Sequence, residues 1–219
     1  QSFSSFAGNP LLIDLRTLKR RGILTTQELP PDAPREDQVN FAALIPWKNR
    51  MLSLAYEQSY ARLERKVNAF RRKNALWIED FALFMALKQH FGGGSWQRWP
   101  DDEIRMRRAA ALRHYWELLE KDIERQVFIQ YLFFEQWYAL KAYANKRGIS
   151  IFGDMPIYVA EDSADAWANP AVFQLDRDRR PRGIAGVPPD YFSADGQRWG
   201  NPLYDWPYLK RTGYRWWLD

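Results

Sequence analysis

The chain contains no cysteine. This excludes disulfides and thiolate metal sites outright, and suits a reducing compartment. Histidine is scarce as well. His90 and His114 each sit in helical text without a His, Asp or Glu partner at ligand spacing, so neither reads as a metal ligand or a catalytic base. No apolar run approaches the ~18–20 residues of a membrane span, and the N-terminus lacks the layout of a signal peptide. A cytoplasmic protein with no membrane partner is the expectation. Serine-hydrolase chemistry lacks its Gly-x-Ser-x-Gly elbow. The phosphate-binding Gly-x-x-x-x-Gly-Lys-Ser/Thr pattern is also missing, and Gly92-Gly93-Gly94 does not follow a strand.

What is present is bulk and aromaticity. In 219 residues, 46% are hydrophobic, enough for a substantial core, and 16% are aromatic, including 11 Trp. Such an excess is consistent with sugar binding and equally with a bulky core. The net charge of +5 is spread along the chain with both signs interspersed. Its densest basic run, Arg62 to Lys73, also holds Glu64, Leu63, Val67 and Phe70. It reads as the solvated face of an amphipathic helix and not as a nucleic-acid patch, because no stacking motif accompanies the charge.

Periodicity divides the chain. Residues 1–15 read as a Ser-rich loop entering a short apolar segment. Thr17 to Gly22 reads as a short helix with a stop, and Thr25-Thr-Gln-Glu28 as a capping box. Pro30, Pro31 and Pro34 make 29–37 a loop. From about Pro46 to Arg147 the text is helical. Trp77, Phe81, Phe84 and Leu87 recur at helical spacing, and Trp77 and Phe134 are expected in the helical core. Gly92-Gly-Gly94 ends one helix, and Asp101, Asp102 and Glu103 favour the start of another. Asp122 to Arg147 is the longest helix candidate, with Gly148 past its end. Ile149-Ser-Ile-Phe152 then reads as a buried strand followed by a functional loop, the grammar of an α/β barrel.

The acids Glu161, Asp162 and Asp165 are too few for an oxygen-ligated cation, so no metal is expected. They read as solvated or capping groups, with Asp162-Ser163 opening a short helix. The most informative stretch is Gly186 to Trp206. A Pro188-Pro189 pair stiffens the backbone ahead of Tyr191-Phe192, Asp195-Gly196 supplies turn chemistry, and Trp199, Tyr204 and Trp206 follow. Aromatics on a rigid loop either fold back as a local core or present flat apolar faces to a ligand.

Four segments, Gln1 to Leu15, Gly153 to Phe173, Gly186 to Trp206 and Gly213-Tyr-Arg-Trp-Trp217, closely resemble, in order, the amylomaltases. These are the 4-α-glucanotransferases of glycoside hydrolase family 77. The resemblance implies part of a (β/α)₈ barrel, an α/β fold, carrying a largely helical insertion. Residues 1–15 would be an early barrel segment and 16–120 the insertion. Residues 121–219 would be a barrel helix, strand and lid loop. It implies α-1,4-glucans such as malto-oligosaccharides as partners, without a cofactor. It also implies that Asp154 positions groups in the site. By the same resemblance, Tyr191 and Phe192 stack on glucan rings, Asp190 shapes the loop, and Trp199, Gly200, Asn201 and Pro202 line the cleft.

Retaining glucan transfer uses two carboxyl groups about 5 Å apart, one forming a glycosyl ester and one protonating the leaving oxygen. The family motifs for that pair do not occur here, so the catalytic residues are expected beyond Asp219, and both ends read as cut. Two rival readings remain: a non-catalytic α-glucan-binding protein that keeps the lid, and a helical interaction module whose aromatics are all core.

Overall fold

The computed structural model of the chain describes residues 2–28 and 38–218. The loop expected at 29–37 lies outside the described residues. In chain order the described elements are α1 (Leu15–Arg20), α2 (Phe41–Lys73), α3 (Ile78–His90), α4 (Asp102–Arg105), α5 (Ala109–Leu118) and α6 (Glu120–Asn145). After α6 come α7 (Ala164–Ala168), β1 (Ile184–Val187), β2 (Gln197–Pro202), α8 (Trp206–Arg211) and α9 (Arg215–Leu218). Among the described residues the architecture is mainly helical, with one two-stranded sheet.

Local chemistry sets most helix boundaries. The Asp14 carboxylate accepts from the Arg16 and Thr17 amides to open α1, and the Asp101 carboxylate accepts from Glu103 and Ile104 to open α4. Gly148, at φ 72°, takes the left-handed turn after α6, where the Ile149 amide reaches back to the Ala144 carbonyl. Two expectations shift. α2 starts at Phe41 and not near Pro46, because Asn40 Oδ1 accepts from the Ala43 amide and nucleates an earlier turn. At 33 residues it exceeds the 26 of α6, so the Asp122–Arg147 stretch is not the longest helix. The Thr25–Glu28 pattern caps nothing. Residues 24–28 are not helical, and the Thr26 hydroxyl accepts instead from the Glu28 amide two residues on.

The chain forms two compact units. One comprises Gly8–Ala75 and Glu124–Phe152. In it the basic run of α2 turns Arg62, Arg65 and Lys66 outward while Leu63 and Val67 are buried, as the amphipathic pattern predicts. Tyr56 and Tyr60 donate to the two oxygens of Glu124 on α6, and both rings lie edge-on to Phe128. Gly8 passes flat against Phe133. A Cβ there would fall 1.9 Å from the ring, so only glycine fits. Phe134 is half-buried and not fully in the core, resting against Phe70 and Tyr138.

The other unit comprises Gln1–Ala7, Leu76–Ile123 and Gly153–Asp219. α3 supplies Phe84, buried among Trp99 and Trp167, while Trp96 donates its indole N–H to the Glu161 carbonyl at 2.9 Å. A second cluster gathers Val159, Ala166, Val172, Phe173, Tyr204 and Leu209. Trp77, expected in the core, is the half-buried residue preceding α3, stacked on Phe6.

Residues 149–152 do not form the strand expected of them. A strand needs a neighbour for its amides and carbonyls, and the only ladder among the described residues joins β1 to β2. Phe152 is accordingly 95% exposed.

The segment read as one long loop contains that ladder. β1 and β2 run antiparallel, pairing Ile184 with Pro202 and Val187 with Gln197, with an irregularity between Ile184 and Gly186. The strands close tightly at Gly186, where a Cβ would meet the Gln197 carbonyl oxygen at 2.4 Å. Gly186→Ala is therefore expected to spread the hairpin at a cost of about 1–3 kcal/mol. Hydrogen exchange should quicken over residues 184–202 and remain unchanged in α2 and α6. Unaltered exchange in the hairpin would show that the strands absorb a methyl group without parting.

Candidate functional site

The hairpin carries most of the sequence-predicted site residues. Its tip is braced by Asp190, whose Oδ1 accepts from the Phe192 and Ser193 amides, both at 2.9 Å. Ser193 in turn donates to the Gly196 carbonyl at 2.7 Å. Gly196 holds φ 71° where the chain turns back, a conformation a side chain would strain. On this tip Tyr191 and Phe192 stand 97% and 88% exposed, touching each other edge to face at 5.6 Å. They are not local core. Tyr204 is, at 1% exposure, with Phe173, Trp206, Trp216 and Trp217 around it. The loop aromatics thus divide between both readings that the sequence left open.

The base of the hairpin is fastened to residues 156–159. Asn201 Nδ2 donates to the Val159 carbonyl at 2.7 Å, and the Tyr204 hydroxyl to the Pro156 carbonyl at 3.0 Å. Burial raises the Tyr204 pKa, with the Asp165 charge adding to it, so the phenol stays protonated and a donor. Trp199, 44% exposed, sets its ring edge-on to Tyr158 at 6.1 Å.

Between these groups lies a cavity of about 380 Å³, lined by Ser2, Ser4, Ser5 and Ala7, by Pro156, Tyr158, Val159 and Ala160, and by Asp165 and Asn201. A larger concavity of about 810 Å³ includes Phe6, Trp77, Arg211 and Trp216. Asp165 and Ser4 line both. The smaller one is the better candidate, because it alone includes a sequence-predicted residue, Asn201, and it is polar on several sides.

Of the predicted residues, the structure joins Asn201 to the cavity and places Trp199 against its Tyr158. Gly200 lies between them at φ 81°. Pro202 is buried at the end of β2 and is not among the cavity's lining residues. Tyr191 and Phe192 project from the tip. Asp154 is exposed in a segment without regular structure and makes no hydrogen bond or ion pair among the described residues.

The acids read as solvated or capping are more deeply engaged than that. Asp162 accepts from Lys88 Nζ at 2.5 Å and from the Trp96 amide, because the loop after α3 folds directly over it. Asp165 is buried in α7, where its carboxylate meets Ser4 and Ser5. Burial raises its pKa, and hydrogen bonds from those two serines oppose the rise. Ser163, and not Asp162, caps α7 through its hydroxyl. Sequence reasoning missed Tyr158, Asp165 and the serines as cavity residues. The Ser-rich opening was a visible signal, but it pointed to no partner.

Comparison with known proteins decides the family. A family model described as 4-alpha-glucanotransferase, of the glycoside hydrolase 77 type, matches residues 1–219. The chain belongs to that family. It is 49% identical over 222 residues to the 4-alpha-glucanotransferase of Thermus thermophilus, a match that takes in 100% of this chain and 44% of that protein. The chloroplastic/amyloplastic 4-alpha-glucanotransferase of Solanum tuberosum is 39% identical over 216 residues, with 96% of this chain and 37% of the relative covered. Among solved structures, an amylomaltase from Streptococcus agalactiae in complex with acarbose superposes with a TM-score of 0.93 at 42% identity. That superposition covers 100% of this chain and 45% of the other. The chain therefore spans less than half the length of these family members.

Proposed function

We propose that the protein containing this chain transfers α-1,4-glucan segments between malto-oligosaccharides by a retaining double displacement. The observation that carries this reading is the family match over the whole chain, together with the amylomaltase likeness at 42% identity. In this reading the chain supplies part of a (β/α)₈ barrel. Residues 1–15 are an early barrel segment, 16–120 the helical insertion, and 121–219 the barrel helix, strand and lid.

Substrate contacts fall to the hairpin and its surroundings. Tyr191 and Phe192 offer flat faces that suit the C–H faces of glucose rings, since aromatic planes and sugar faces are both apolar. Asp190 holds the tip in shape. Asn201 lines the cavity, Trp199, Gly200 and Pro202 share its strand and are assigned to the glucan cleft with it, and Asp154 orients neighbouring groups. The chemistry itself needs a carboxyl pair about 5 Å apart: one attacks the anomeric carbon, the other protonates the departing oxygen and later deprotonates the acceptor hydroxyl. The reading puts that pair outside these 219 residues. Carboxyl groups alone move the protons, so no cofactor or metal is required. A lid of exposed aromatics limits water at the intermediate and favours a sugar acceptor over hydrolysis. A cytoplasmic setting suits the cysteine-free composition.

The test uses maltotriose. The full-length protein should convert it to glucose and longer oligomers, and the isolated 219-residue chain should yield neither product. Disproportionation by the isolated chain would mean that the reacting carboxylates lie within it. Glucan binding without products from the full-length protein would favour the non-catalytic binder.

A further inference from the structure

Asp165 is 4% exposed and forms no ion pair among the described residues. A buried carboxylate without a counter-ion is an expensive group, so its hydrogen-bond partners matter. They all come from the far end of the sequence. Ser4 Oγ donates to Oδ1 at 3.1 Å and the Ser5 amide to Oδ2 at 2.6 Å, while the adjacent Ala164 amide donates to the Phe3 carbonyl at 2.8 Å. Ser4 Oγ also accepts from the Phe6 amide, and Ser2 Oγ donates to the Ser4 carbonyl. Residues 2–6, which have no helix or strand of their own, thus take their shape from the first turn of α7. That same segment supplies Ser2, Ser4 and Ser5 to the 380 Å³ cavity. A carboxylate accepts one donor on each oxygen, as here; an amide of the same size has an oxygen on one side only and an N–H on the other, and an aliphatic side chain has neither.

We propose that Asp165 is a positioning residue for the glucan site, fixing the serine-bearing strap so that its wall of the cavity keeps the shape that receives a sugar beside Asn201. The inference rests on the glucan-transfer reading above. Asp165 acts through Ser4 and Ser5 and takes no part in bond making.

Asp165→Asn in the full-length protein preserves size but presents an N–H to one of two donors. KM for maltotriose should rise about fivefold or more, with kcat changed less than about twofold. Hydrogen–deuterium exchange should quicken in residues 2–7 and stay unchanged in 184–202. Ser4→Ala, which removes one of the two bonds, should reproduce part of the KM rise, and it carries the test if Asp165→Asn does not fold. An unchanged KM in the folded variants overturns the proposal, as does a loss that merely tracks the unfolded fraction. If the unsubstituted protein performs no transfer, the functional reading fails instead. The exchange comparison then still decides whether Asp165 orders the strap, and unaltered exchange in residues 2–7 overturns that.

Discussion

Replacing Tyr191 and Phe192 together by alanine in the full-length protein is expected to cut glucan transfer sharply while leaving the melting temperature nearly unchanged. Both rings are almost fully exposed and touch mainly each other. Their loss therefore removes little packing, and surface changes of this kind usually stay within about 0.5 kcal/mol. If each ring contributes about 0.5–1.5 kcal/mol of stacking to a bound glucan, the pair is worth about 5- to 150-fold in affinity. Water gains access at the same time, so the share of hydrolysis should rise. Product ratios from maltoheptaose, set beside a thermal melt, read both effects. A large fall in melting temperature with the ratio preserved would make these rings packing residues and end the lid reading.

Trp167→Ala should do the reverse. The indole is fully buried, lies within 6 Å (centroid to centroid) of Phe84 and Trp99, and carries the Arg107 guanidinium at 4.3 Å over its face. Its N–H satisfies the Ile104 carbonyl. Truncating a buried Trp costs about 3–5 kcal/mol, a large part of the ~5–15 kcal/mol that holds a domain together. Whatever fraction folds should keep its product ratio. A denaturant titration that shows less than about 1 kcal/mol of loss would mean that the site refills after truncation, and that α3 and α7 are not bound through this indole.

How legible this was depended on range. Asp101 capping α4 and Gly148 turning α6 were readable because each acts on amides within a few residues of itself. The Gly186–Phe192 text left its aromatics open between core and surface, and the structure exposes Tyr191 and Phe192. The ladder beside it was not readable: Gly186, Pro188 and Pro189 look like loop residues, and Pro202 sits where a strand seldom has one. Only the pairing of residues 184 and 202 reveals the hairpin. The buried role of Asp165 was further out of reach, because its partners lie 160 and 161 residues away. An Asp near other acids carries the same local signature whether it is solvated or buried. Ile149–Phe152 has the composition of a strand, but composition cannot supply the neighbour that a strand requires.

The brace at Asp190 bears on the speed and heat of recognition. On the proposed function, a tip already held by hydrogen bonds from two amides, a Ser193 hydrogen bond and two prolines has few backbone conformations to surrender to a glucan. Each rotamer-rich side chain immobilised on contact costs about 0.5–1.5 kcal/mol, and the braced backbone here adds little to that sum. Encounter should therefore proceed without a slow folding step, at a rate set by diffusion and orientation. The calorimetric signature should be a small entropic penalty for a surface displaying two large rings to water.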